Sequence, residues 1–177
     1  MNRWYASPRR WVCGVFVAAA AVAGLSIGAT PAGAAVSILN PIGQIQNLYS
    51  NLCLGILPSS GQFGNQGDAV QWSCNGNSDQ QWNFGDLNSA GYRQVINDAG
   101  QCLSVRGASK AALARVAVGS CTGAADQYWK YYIDSKGRGT YANYNSGLLL
   151  VIKGDTTAVG DAVIQYQSND HDSQHWY

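Results

Sequence analysis

Beyond residue 35 the apolar positions come in short bursts. "QVIND", "CLSV", "ARVAV" and "QYWKYY" carry Val, Ile, Leu, Tyr and Trp in alternating or consecutive places, and Gly, Asn, Asp and Ser stand between them. No stretch of this part sustains a 3.6-residue apolar period, which would predict a helix buried along one face. Short β-prone runs divided by turn residues predict short strands with frequent turns. That pattern belongs to an all-β barrel or sandwich.

The bursts recur. "SDQQW" (78–82), "ADQYW" (125–129) and "DSQHW" (172–176) each contain Gln-x-Trp, and Trp82, Trp129 and Trp176 lie 47 residues apart. At that offset Gly100 falls on Gly147, Leu103 on Leu150, Val105 on Ile152, Gly107 on Gly154 and Val116 on Val163. The first copy joins the register with two extra residues in its central loop, Cys53 matching Cys102 and Cys74 matching Cys121. Three units of about 47 residues, at roughly 43–88, 89–135 and 136–177, are too few for a long solenoid. They can close around a threefold axis, which leaves no open sheet edge. In such a barrel Trp82, Trp129 and Trp176 are expected to fill the core, one per unit.

The first 34 residues read differently. Arg3, Arg9 and Arg10 precede the uncharged apolar run 12–29, and Ala32-Gly33-Ala34 follows as a small-residue cleavage site. This is the layout of a secretory signal peptide; a membrane anchor is the rival, but the Ala- and Gly-rich run of 18 residues is short for a span. Cleavage would leave residues 35–177 as one secreted, extracellular domain with no membrane segment. Of the 11 basic residues, the three arginines leave with the signal, so eight face ten Asp. No basic patch points to nucleic acid or an anionic membrane.

Export also explains the cysteines. Cys13 belongs to the signal, and Cys53, Cys74, Cys102 and Cys121 remain. An even set in an oxidising compartment reads as disulfides, with three pairings open. The similar separations, 21 and 19, favour Cys53–Cys74 and Cys102–Cys121, one local bridge per unit. The third unit has Leu149 and Ser168 at these places, both half-sites lost together. Zinc is the alternative, but there is no Cys-x-x-Cys pair.

Three Gln-x-Trp repeats, a Cys-Leu opening in two units and a Cys eight residues before Trp82 and Trp129 make the chain resemble the ricin B-chain type lectin domain, of the kind found in secreted actinobacterial proteins. The resemblance covers about Gln44 to Tyr177. It implies a β-trefoil of twelve strands, a six-stranded barrel with a three-hairpin cap, and one carbohydrate site per unit. In each site an aromatic residue two before the second Cys forms a platform for the sugar ring. The Gln of Gln-x-Trp and the Asn just before it, here replaced in all three units, add polar contacts, and an Asp two residues after the first Cys grips two hydroxyls. Position by position, the platform is Trp72, Gly119 or Tyr166, and the Gln is Gln80, Gln127 or Gln174. The residue before it is Asp79, Asp126 or Ser173, and the gripping Asp is replaced by Gly55, Ser104 or Val151. The carbohydrate-contact candidates are therefore Trp72, Asp79 and Gln80 in the first unit, with Tyr166, Ser173 and Gln174 in the third. The second is expected to be silent, and the first to dominate because it alone joins a Trp platform (Trp72) to a carboxylate (Asp79) and an amide (Gln80). Asp79 and Asp126 either supply the missing carboxylate from the other side of the site or cap turns.

No cofactor or metal is expected. His171 and His175 lie among Asp170 and Asp172, but that segment aligns with a turn and strand of the other repeats. Without Gly-x-Ser-x-Gly, His-Glu-x-x-His or any Glu, the chain shows no hydrolase motif and is read as a non-enzyme. The leading expectation is a secreted lectin-like protein whose partner is a glycan or polysaccharide. The other is a non-catalytic scaffold that binds a protein, as an inhibitor or surface ligand would, and the absent Asp keeps it open. Exposure of Trp72 beside Asp79 and Gln80 would favour the first; its burial would favour the second.

Overall fold

The computed structural model describes residues 40–57 and 67–177. The expected signal segment, 1–34, lies outside these residues, as does most of the enlarged central loop of the first repeat. Eleven strands follow one another: β1 (Asn40–Gly43), β2 (Cys53–Leu57), β3 (Asp68–Trp72), β4 (Trp82–Leu87), β5 (Arg93–Asn97), β6 (Gln101–Val105), β7 (Val116–Ser120), β8 (Tyr128–Ile133), β9 (Gly139–Asn143), β10 (Leu149–Ile152) and β11 (Val163–Tyr166). Three single-turn 3-10 helices stand at Arg106–Ala108, Ala125–Gln127 and Asp172–Gln174.

Two layers follow from the pairing. Strands β1, β4, β5, β8 and β9 pair antiparallel in that order. Trp176 closes the ring by bridging Gly139 on one side and Asn47 on the other. Gln46 and Tyr177 exchange two backbone hydrogen bonds, 2.8 and 3.0 Å, at the same seam. The expected twelfth strand is thus a pair of single bridges at Trp176. The hairpins β2–β3, β6–β7 and β10–β11 form the cap. They meet in a triangle, Asp68 pairing with Ala117, Arg115 with Ile164 and Ala162 with Val70. The fold is the β-trefoil.

The core repeats with the sequence. Leu54, Leu103 and Leu150 occupy equivalent places, as do Ala69, Val116 and Val163, and all are buried with Trp82, Trp129 and Trp176. Each indole also solves a polar problem, because a buried N–H without a partner costs about 1–3 kcal/mol. Trp82 Nε1 donates to the Leu54 carbonyl at 3.0 Å, Trp129 to Leu103 at 2.9 Å and Trp176 to Leu150 at 3.0 Å. The Trp of each unit is thereby fixed to the first strand of that unit's cap hairpin. Disulfides join Cys53 to Cys74 and Cys102 to Cys121, as the spacing favoured.

Candidate functional site

Side chains two apart on a strand share a face, and directly paired residues of a hairpin point the same way. Cys53 pairs with Trp72 and Gly55 with Val70, so Gly55, Val70 and Trp72 floor one surface of the first cap hairpin. The same register groups Ser104, Ala117 and Gly119 in the second, and Val151, Ile164 and Tyr166 in the third. Trp72 is 38% exposed among polar neighbours. One side of its ring lies against the third repeat, where a Cβ added to Gly160 would stand 3.4 Å from it. Tyr166 is partly buried and lines a hollow of about 290 Å³ with Val151, Asp155, Ile164 and Asn169. Gly119 leaves the second surface open as a larger hollow of about 420 Å³, lined by Ser104, Arg106, Asp126 and Gln127 but by no aromatic residue.

The glutamines underlie these surfaces: Gln127 lines the second hollow, and a Cβ added to Gly55 would stand 3.3 Å from the Gln80 amide. Gln80 is fully buried; its Nε2 donates to the Ser73 carbonyl at 3.0 Å and its Oε1 accepts from Asn75 N at 2.9 Å. Gln127 and Gln174 repeat this arrangement with Ser120 and Thr122, and with Gln167 and Asn169. Each amide spans the loop after the cap hairpin and satisfies backbone groups that would otherwise be buried unpaired. Gln80 and Gln174, expected as polar contacts, are buried, and these bonds hold their amides in place. Ser173 is fully buried, and its hydroxyl donates to Asp155.

The carboxylates are where the repeats differ. Asp79 crosses its hairpin, and Oδ2 accepts the backbone N–H of Ile56 at 3.2 Å. Asp126 makes the equivalent bond to Val105, and burial pushes its carboxyl above the usual range against the two backbone hydrogen bonds that oppose it. Both are therefore more than turn caps: each places a carboxylate beside the residue, Gly55 or Ser104, that stands for the missing Asp. In the third repeat Ser173 is too short to do this. Asp155, from the turn after β10, stands there with Ser173 and His171. His171 Nδ1 lies 3.0 Å from Ser173 Oγ and 3.4 Å from Asp155 Oδ1. Ser, His and Asp meet, yet the Ser hydroxyl is enclosed and spent on the carboxylate, so it is no activated nucleophile.

A second polar cluster ties the barrel to the third repeat. Arg138 pairs with Asp134 at 2.8 Å, with Asp172 at 3.0 Å and with Asp170, and Lys136 adds Asp170 at 3.3 Å. Asp170 has a left-handed backbone, φ 59°, where the other repeats have Gly76 and Gly123. The Arg138 guanidinium holds the Asp170 carboxyl below its ordinary range, and the Arg138 backbone N–H does the same for Asp134. Asp134, Asp170 and His175 place ligand atoms within 4.8 Å of one another, but both carboxylates are already engaged by Arg138. This latch holds the loop that follows Ser168, in the one repeat without a disulfide.

Two sets of residues escape a reading for Gln-x-Trp alone. Asn47, at the isolated bridge to Trp176, and Asn143, at the end of β9, are buried and bind carbonyls of a neighbouring motif: Asn47 to Ser173 and His175, Asn143 to Asp126. Their signal was an Asn closing "QIQN" and "YAN" before each turn. The other is Asp155, whose only mark is "KGD" where the second repeat reads "RGA".

Residues 41–176 match the family profile of the ricin-type beta-trefoil lectin domain. No curated protein sequence matches the chain. Among solved structures, the designed threefold-symmetric protein ThreeFoil is 27% identical with a TM-score of 0.68, over 76% of this chain and 94% of that one. The Macrolepiota procera ricin B-like lectin, solved with lactose, is 16% identical with a TM-score of 0.63, over 80% of this chain and 95% of that one. An exo-beta-1,3-galactanase from Clostridium thermocellum is 24% identical with a TM-score of 0.71; 80% of this chain corresponds to only 30% of that enzyme.

Proposed function

The chain belongs to the ricin-type β-trefoil lectin domain family, and from that membership we propose that it is a secreted carbohydrate-binding protein acting through shallow aromatic-platform sites. The observation that carries the reading is Trp72. A large aromatic ring stands 38% exposed on a polar surface, on the face where the Asp79 carboxylate also lies. A pyranose offers an apolar C–H face and a rim of hydroxyls; a ring with an acceptor at its edge complements both. The galactanase and lectin neighbours support a sugar ligand by what they bind or cleave. Secretion is supported by the N-terminal sequence and by the two disulfides.

A single shallow site binds near the millimolar range, about −4 kcal/mol. Retention on a polysaccharide then needs the first and third sites together. The test is a glycan array followed by affinity electrophoresis on polysaccharide gels. Trp72→Ala should remove most retention, Tyr166→Ala should reduce it, and Gly119→Ser should leave it unchanged. Retention of no glycan by the wild type would overturn the reading in favour of a protein-binding scaffold.

A further inference from the structure

Resting on that reading, the geometry points to Asp155 as the hydroxyl-gripping carboxylate of the third repeat, which makes Tyr166, Asp155 and Asn169 a complete site for a neutral pyranose. Nothing in the repeat register announces this, because the register puts Val151 where the gripping Asp is expected and Ser173 where the other two repeats carry Asp.

Three observations bring Asp155 to the site. The first is place: Asp155 lines the same hollow as Tyr166, Val151 and Asn169, the hollow being floored by the face that carries Trp72 in the first repeat. The second is backbone. Asp155 is held at φ 51°, directly after Gly154 at φ 77°, in the left-handed pair that Gly107 and Ala108 adopt in the second repeat. A left-handed conformation disfavours a residue with a Cβ, although Asp tolerates it better than most. In the second repeat this turn presents a methyl group; in the third it presents a carboxylate.

The third is how the carboxylate is held. Ser173 Oγ donates to Oδ1, and His171 Nδ1 lies 3.4 Å from the same oxygen. Among the described residues no protein donor meets Oδ2, and the Asp155 side chain is 40% exposed. One oxygen is anchored and the other is left for solvent or a ligand. Ser173 is itself fixed, its backbone N–H donating to His171 Nδ1 at 3.2 Å. A carboxylate oriented in advance in this way loses little freedom when it accepts hydroxyls. Asn169 adds an amide at the rim; its Oδ1 accepts the His171 N–H at 3.1 Å, which orients the side chain.

The set defines a ligand class. Tyr166 takes the C–H face of a pyranose, Asp155 accepts from one or two neighbouring hydroxyls, and Asn169 can donate to a ring or hydroxyl oxygen. A uronic acid would bring a second negative charge to Asp155, so the site favours neutral hexoses over uronates. Asp79 and Asp155 thus bring carboxylates to equivalent surfaces from different loops, and the third site no longer lacks a carboxylate.

The test uses the whole protein in a Trp72→Ala background, so that binding reports the third site. The probes are methyl galactoside, methyl glucoside, methyl mannoside and galacturonate, followed by NMR shift changes and by saturation transfer. Trp72→Ala should still bind at least one neutral glycoside, more tightly than galacturonate. Adding Asp155→Asn should weaken that binding about tenfold or more, the loss expected when a charged hydrogen-bond partner becomes neutral. Adding Ser173→Ala should weaken it less, since only the anchor of Oδ1 is lost. An unchanged thermal midpoint in Asp155→Asn separates lost binding from lost folding. If Trp72→Ala binds nothing while the wild type binds, the third site is not used and the inference fails with the lectin reading intact. The same holds if Tyr166→Ala abolishes the residual binding and Asp155→Asn leaves it unchanged. If the wild type binds none of these sugars and no glycan, the lectin reading falls and takes the inference with it.

Discussion

A Cβ placed on Gly55 would stand 3.4 Å from Asp79 Oδ2. The absence of the expected Asp at 55 goes with the carboxylate at 79 and the amide at 80: a small residue on the strand makes room for Asp79, and for Gln80, which the same Cβ would meet at 3.3 Å. Restoring the family pattern should harm this protein. Gly55→Asp would set two carboxylates side by side, and like charges at that range raise one pKa and oppose folding. A stability loss of about 0.5–3 kcal/mol is expected in denaturant melts at neutral pH, with weaker glycan retention. Tighter retention by Gly55→Asp would show that Asp79 does not occupy the gripping position.

How much of this was legible in the sequence depends on distance along the chain. The Trp spacing and the cysteine register carried the threefold architecture, because the repeats copy local strand patterns and each Trp bonds within its own unit. Trp72 was legible as exposed because its neighbours are polar. The role of the Gln residues was only half legible: the pattern marks them as repeated, but only the structure shows their amides held by Ser73, Ser120 and Gln167. Asp155 was not legible. It acts across a gap of 18 residues to Ser173, and a lone Asp after Gly reads as an ordinary turn.

Trp129 should behave as a core anchor. It is wholly buried, and its Nε1 holds the Leu103 carbonyl at 2.9 Å. Trp129→Ala removes a large packed side chain and leaves that carbonyl short of a partner. The expected loss is about 3–5 kcal/mol by urea or guanidinium titration. Trp129→Phe should recover part of the packing but not the hydrogen bond, and so fall between the two. A loss below about 1 kcal/mol for the alanine variant would contradict a core role.

The two disulfides should stabilise their own repeats and leave the third untouched. Each closes a loop near 20 residues, with separations of 21 and 19. On the chain-entropy account each contributes about 3 kcal/mol. Cys102→Ser with Cys121→Ser should lower stability by about that amount, and hydrogen exchange should quicken most around β6 and β7. Equal quickening around β10 and β11 would mean the repeats do not loosen independently.

The third repeat relies on charge where the others rely on sulfur, so its stability should follow pH. Arg138 and Lys136 lower the Asp170 carboxyl, and Arg138 with its backbone N–H lowers Asp134. A carboxyl whose folded pKa is depressed contributes stability that is complete above its unfolded value, about 3.9, and is lost as pH falls through the folded value. Asp126 works in the opposite sense: burial raises it, so its share is complete below the unfolded value and is lost as pH rises through the folded one. Arg138→Leu isolates the latch, because it leaves the surroundings of Asp126 unchanged. The variant should be less stable than wild type at neutral pH, and the gap between their thermal midpoints should close as pH drops below about 4. High salt should narrow the same gap, since the exposed arms of the network are screened. A gap that stays constant from neutral pH to below the carboxylate range would show that Arg138 acts by packing alone, and the third repeat would then have no ionic substitute for its missing disulfide.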